Sequence, residues 1–158
     1  MDWRGVIGCA SLALALGCSN SDSLGRAGLT VGDGGVVALI VESASTNAAE
    51  ADVTVYSDGS ANRTIGPPRG SFSVSPAMFP AGSPEVAAFL ADLTAVGNVS
   101  AIPIGQCGKS VSFGTTTTVT ANGSTSGDLQ CLKNPTAAAS ALAMDCAVLD
   151  GDSPLPQD

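Results

Sequence analysis

The chain has 158 residues, 44% of them apolar and 13% charged, and a formal net charge of −8. That length suits one small domain, and this much hydrophobicity with so few charges argues against wholesale disorder. An excess of 14 acids over 6 bases argues against nucleic acid as a partner, because phosphate binding needs clustered Lys and Arg. Histidine is absent, which removes Ser-His-Asp and Cys-His catalysis, histidine-ligated zinc and any histidine pH switch.

Taken in order, Met1 to Arg4 is a short head with one base, followed by an apolar run from Gly5 to Gly17. The run is too short for the roughly 20 residues of a membrane-spanning helix and reads as a secretory signal. Its end, Leu14-Ala15-Leu16-Gly17-Cys18-Ser19, resembles the lipobox of bacterial lipoproteins. The resemblance implies that residues 1–17 are removed and that Cys18 becomes a diacylated, N-acylated first residue, anchored in a lipid bilayer. Serine after that cysteine resembles outer-membrane sorting. Several acyl chains hold a protein stably, whereas one alone is marginal. Cleavage would remove Asp2 and Arg4, one charge of each sign, so the acidity belongs to the exported part.

Residues 18–35 are rich in Ser, Gly and Asp and read as a flexible tether, with a reach of roughly 20–25 Å. Val36 to Ser43 is a β-branched run consistent with a strand buried on both faces. Asp52 to Tyr56 alternates, Ser57-Asp58-Gly59-Ser60 is a turn, and Asn62 to Ile65 is the returning strand. Gly66 to Pro84 holds five prolines around Phe72, Val74, Met78 and Phe79, which forbids a central strand and suggests a loop packed onto the domain.

Ser83-Pro84-Glu85 opens a helix with an N-cap, a proline at the first position and an acid at the positive dipole end. Val86, Phe89, Leu90, Leu93 and Val96 form its apolar stripe, and Gly97-Asn98 ends it. Ser110 to Ala121 reads as a strand with Val111, Phe113, Thr115, Thr117 and Val119 on one face. Asn122-Gly123 is a hairpin turn, and Ser124 to Leu132 is the return. Asn134-Pro135 marks a second helix, its buried side carrying Ala138, Ala141, Leu142, Cys146 and Leu149, stopped by Gly151. Residues 151–158 form a Pro/Asp-rich tail. The expectation is a two-layer α+β domain over 36–150. Its mainly antiparallel sheet, in ββ-α-ββ-α order after an N-terminal strand, would be packed by two helices.

Once Cys9 leaves with the signal and Cys18 is lipidated, Cys107, Cys131 and Cys146 remain. An exported chain favours a disulfide. Cys107–Cys131 would tie the legs of the second hairpin; Cys131–Cys146 is the alternative. Cys146 lies in line with Leu142 and Leu149, as a buried apolar thiol would.

No cofactor or metal site is expected. Three separated cysteines without histidine lack zinc-ligand spacing. Gly108-Lys109-Ser110 resembles a P-loop end but lacks the upstream glycine, where Pro103 stands. Gly123-Ser124-Thr125-Ser126-Gly127 has threonine where a nucleophile elbow needs serine. Gly151-Asp152-Ser153 has no base to activate it. Glu50-x-Asp52 and Asp150-x-Asp152 lack the remaining ligands of a calcium loop.

These readings point to a non-enzymatic, lipid-anchored protein of the cell envelope that presents a binding domain to an envelope or secreted protein. The alternative is an inhibitor of an exported protease. The layout hairpin 53–65, helix 85–96, hairpin 111–131, helix 136–149 is similar to that of emfourin-type inhibitors of thermolysin-like metalloproteases, with Gly66–Pro84 as the candidate inhibitory loop. A carboxylate-based glycosidase is the third reading.

Overall fold

A computed structural model describes residues 34–66, 76–109 and 114–151. Among the described residues, six strands form one antiparallel sheet: β1 (Val36–Glu42), β2 (Ala51–Tyr56), β3 (Ala61–Ile65), β4 (Ala77–Phe79), β5 (Thr117–Ala121) and β6 (Ser124–Thr125). Two helices, α1 (Pro84–Val96) and α2 (Ala137–Asp150), complete the α+β arrangement.

The spatial order is β4-β3-β2-β1-β5-β6, so the first strand lies inside the sheet with β2 on one side and β5 on the other. Register across these three strands sorts the residues into rows. Val53, Ile40 and Val119 stand abreast, as do Val55, Ala38 and Ala121, and then Ala51, Glu42 and Thr117. All nine are buried. Because side chains alternate along a strand, these rows define one inward face.

β1 is buried on that face only, contrary to the expectation from its continuous apolar run. Leu39 and Val41 point the other way and are half-buried, while Val37, at the register shift between Val36 and Ala38, packs against the edge of the core. The helices cover just one side of the sheet, and the neighbours of Leu39 and Val41 across the ladder are Thr54, Thr120, Asp52 and Thr118.

α1 begins where its signals place it. Ser83 Oγ accepts from Val86 N, Pro84 takes the first position, and Gly97 ends the helix at φ 72°, donating its N–H to Leu93 O. Val86, Phe89 and Leu93 are its buried residues, with Leu90 and Val96 half-buried beside them.

α2 starts two residues later than Asn134-Pro135 suggests. Asn134 adopts φ 46°, a left-handed turn position that asparagine tolerates, not the extended conformation of an N-cap. The cap is Thr136, which accepts from Ala139 N at 3.2 Å. The inward face is Ala139, Leu142, Cys146, Leu149 and Asp150. Ala138 and Ala141 are only half-buried, which corrects the expected face by one position at its start.

In the second hairpin, Asn122 and Gly123 take φ 51° and 73°, the two positive values of a type I′ turn. The ladder beyond it is shorter than expected. β5 begins at Thr117, with residues 110–113 outside the described residues, and β6 ends at Thr125 rather than running to Leu132. Ser126 Oγ takes the Val119 N–H at 2.9 Å, and Asp128 caps a single 3₁₀ turn over Leu129–Cys131. Side chains that bond locally to the backbone thus replace the continuing strand.

β4, flanked by Pro76 and Pro80, is an edge strand, the one place in a sheet where proline is tolerated. Phe79 packs on the core while Met78 faces out. Ile40, Val53, Val55 and Val119 of the sheet meet Val86 and Phe89 of α1 and Leu142, Cys146 and Leu149 of α2 in one continuous core. Each fully buried aliphatic or aromatic side chain contributes about 1.5–3 kcal/mol.

Arg63 fastens the sheet to the end of α2. It stands opposite Val53 in the ladder and donates from Nη1 to Leu149 O at 3.0 Å. Burial lowers its pKa from the ordinary value while Asp150 raises it. A cation here also suits the negative end of the helix dipole. Among the described residues, no helix is long and apolar enough to cross a membrane.

Candidate functional site

Two segments at one end of the domain frame its candidate site. Ile104 pairs with Leu132 in an isolated antiparallel bridge, closed by Gly105 N to Cys131 O at 2.6 Å and Lys133 N to Pro103 O at 3.0 Å. Cys107 and Cys131 stand at disulfide distance, bonded through their sulfurs, with Cα atoms 5.5 Å apart. Three ties within five residues make a stiff frame. Together residues 104–107 and 130–133 line an open hollow of about 700 Å³.

Gly127 lets the frame close. A Cβ there would lie 2.6 Å from Ile104 Cγ1, nearer than carbon atoms approach. The glycine that sequence reading placed in a failed nucleophile motif is required by packing.

Beside the disulfide lies a polar cluster. Lys109 Nζ donates to Thr115 O and to Gln130 Oε1, and pairs with Asp128 Oδ2. Gln130 Nε2 donates to Thr115 Oγ1 and Thr117 Oγ1, each at 2.9 Å. Asp128 Oδ1 accepts from Thr117 N at 3.2 Å and Gln130 N at 3.1 Å. Side-chain exposures of 22% and 17% for Lys109 and Asp128 shield this pair more than the open surface pairs that contribute almost nothing.

Asp128 Oδ2 also lies 3.2 Å from Cys131 Sγ. With the sulfurs joined neither carries a hydrogen, so this is a contact rather than a hydrogen bond. Cys107, Asp128 and Cys131 place one potential metal-ligand atom each within 4.8 Å of one another. The cysteines stand out in the sequence and Asp128 does not. The available signal was Asp128-x-x-Cys131, two ligand types at knuckle spacing.

Of the other residues singled out in the sequence, Cys18 lies outside the described residues. Cys146 is buried in α2 and unbonded. Burial, followed by Asp150 and Asp145, pushes its thiol well above the ordinary value, which suits an inert packing group. Lys109 belongs to the cluster above, not to a phosphate loop. Glu50 is exposed, and Asp52 faces Thr64 and Val41 across the ladder, neither of them a carboxylate. Asp150 is buried beside Arg63, while Asp152 and Ser153 lie outside the described residues, as do residues 67–75 of the Gly66–Pro84 loop.

One carboxyl pair that sequence could not assign joins the two helices. Asp145 of α2 meets Asp92 of α1, and its pKa is raised to about 6 by burial, then by the hydrogen bond and charge of Asp92. Asp145 Oδ2 is closed to solvent and no donor reaches it. The negative charge of Asp92 nearby adds to burial in favouring the protonated form of Asp145.

No family model, no curated protein and no solved structure matches the chain.

Proposed function

We propose that this is an exported, lipid-anchored envelope protein whose small α+β domain binds another protein and performs no catalysis. The observation that carries the binding reading is the open hollow of about 700 Å³ framed by residues 104–107 and 130–133. Its walls are held by a disulfide and a backbone bridge, and a stiff recess loses little entropy on binding. Anchoring rests on the Leu14–Cys18 lipobox resemblance and on the Ser/Gly/Asp-rich residues 18–35 that separate it from β1.

A photo-crosslinking residue at Gln106, with a second at Ala88 on the opposite layer as control, tests the contact surface in intact envelopes. A discrete adduct from position 106 alone supports the reading. No adduct, or the same adducts from both positions, overturns it. Intact mass tests the anchor: Cys18→Ala should lose the acyl mass, and an unchanged mass rules lipidation out. The second reading, a protease inhibitor, draws on the layout of hairpin 53–65, helix 85–96, hairpin 111–131 and helix 136–149 read from the sequence, to which the structure adds β4 ahead of α1. Failure of the purified domain to slow any exported protease of its host would remove it.

A further inference from the structure

We infer that Cys107, Cys131 and Asp128 form a zinc-type divalent-metal site that exists only when the Cys107–Cys131 bond is reduced. The donor atoms already converge within 4.8 Å. Two thiolate sulfurs at about 2.3 Å from a tetrahedral zinc lie roughly 3.8 Å apart, and a Cα separation of 5.5 Å admits that spacing through side-chain rotation alone. Asp128 caps the 3₁₀ turn and Cys131 is its last residue, a ligand-x-x-ligand pair at the spacing by which two ligands of a zinc knuckle share one ion.

The carboxylate is oriented in advance. Its Oδ1 is held by the Thr117 and Gln130 N–H groups, and its Oδ2, which also carries the Lys109 ammonium and keeps a second lone pair, lies 3.2 Å from Cys131 Sγ. Two thiolates and a carboxylate around a divalent ion sum to one negative charge, and the ammonium of Lys109, already on Asp128, balances it. Lys109 is thus the outer partner that ligating carboxylates normally have. Cys107 is exposed beside the hollow, so water can take the fourth position.

Conversion balances as two steps. A dithiol passes two electrons and two protons to the disulfide, becoming a disulfide itself and leaving two cysteine thiols. The metal ion then replaces the two thiol protons, which go to solvent. The site does not depend on lipidation or on a protein partner.

The test uses the full chain with Cys9→Ser and Cys18→Ser, oxidised or reduced with a dithiol that is then removed under argon. Zn²⁺ uptake is measured by competition with a chromophoric chelator, and Co²⁺ reports thiolate ligation by its absorption. The reduced chain should take one equivalent and the oxidised chain none. Asp128→Asn should weaken binding at least tenfold, Asp128→Cys should restore or tighten it, and Cys146→Ser should change nothing. Equal uptake by both redox forms overturns the inference. So does undiminished binding by Asp128→Asn, failure of Asp128→Cys to bind, or loss of metal in Cys146→Ser. Circular dichroism of the reduced chain guards the result: uptake by an unfolded chain that ignores residue 128 also overturns it.

Discussion

Burial and the neighbouring Asp92 bring the Asp145 carboxyl toward neutral pH. Unfolded, it titrates near 3.8; folded, it is raised to about 6 by burial and by Asp92. The raised value means that the contribution of this pair is complete below about 3.8 and is lost as pH rises through about 6. Solvent screening at this half-exposed site holds the effect to about 1 kcal/mol. Asp145→Asn keeps a donor for Asp92 and removes the charge. Thermal melts should therefore show it a few degrees more stable than the parent at about pH 8 and indistinguishable at about pH 3.5. Gly127 supplies a second residue-scale expectation. Gly127→Ala forces Ile104 aside and should cost about 1–3 kcal/mol in denaturant unfolding.

At the scale of elements, local signals and tertiary pairing divide the credit. Ser83-Pro84-Glu85, Asn122-Gly123 and the Val86, Phe89 and Leu93 stripe were legible because caps, I′ turns and helical periodicity act over a few residues. The start of α2 was misread because asparagine serves both caps and left-handed turns, and only the chain path decides between them. Mutation separates these roles. Thr136→Ala should cost about 1 kcal/mol as a lost cap, whereas Asn134→Gly should be neutral or stabilising because glycine accepts the φ of 46° found there. Both follow from urea midpoints. β1 misled for a different reason: Val36–Glu42 is apolar on both sides, and which side the helices cover is set by sequence far away. The pair Asp92 and Asp145 was illegible for the same cause, since α1 and α2 must pack before the carboxyls meet.

For the whole molecule, the disulfide joins residues 24 positions apart. A loop of that length stabilises the fold by about 3 kcal/mol through the unfolded chain. Reduction without metal should therefore lower the unfolding free energy by about that amount, and saturating Zn²⁺ should recover part of it as ligand linkage. Equal stability of the reduced chain with and without Zn²⁺ would contradict the metal site. The Cys107–Cys131 pairing was legible from the position of the two cysteines around the hairpin, while the convergence of Asp128 on it was not. That carboxylate arrives through a 3₁₀ turn standing where a longer strand was expected.

The placement of β1 also sets an order of events. Its partner on one side is β2, a few residues on, but its partner on the other is β5, whose ladder contacts pair Ala38 with Ala121 and Glu42 with Thr117. A chain emerging from its N-terminus therefore presents one edge of its central strand unpaired until residue 121 has appeared. Edge strands in that condition invite association with other chains, and closing so long a loop is slow. The sheet therefore closes only once most of the chain has arrived.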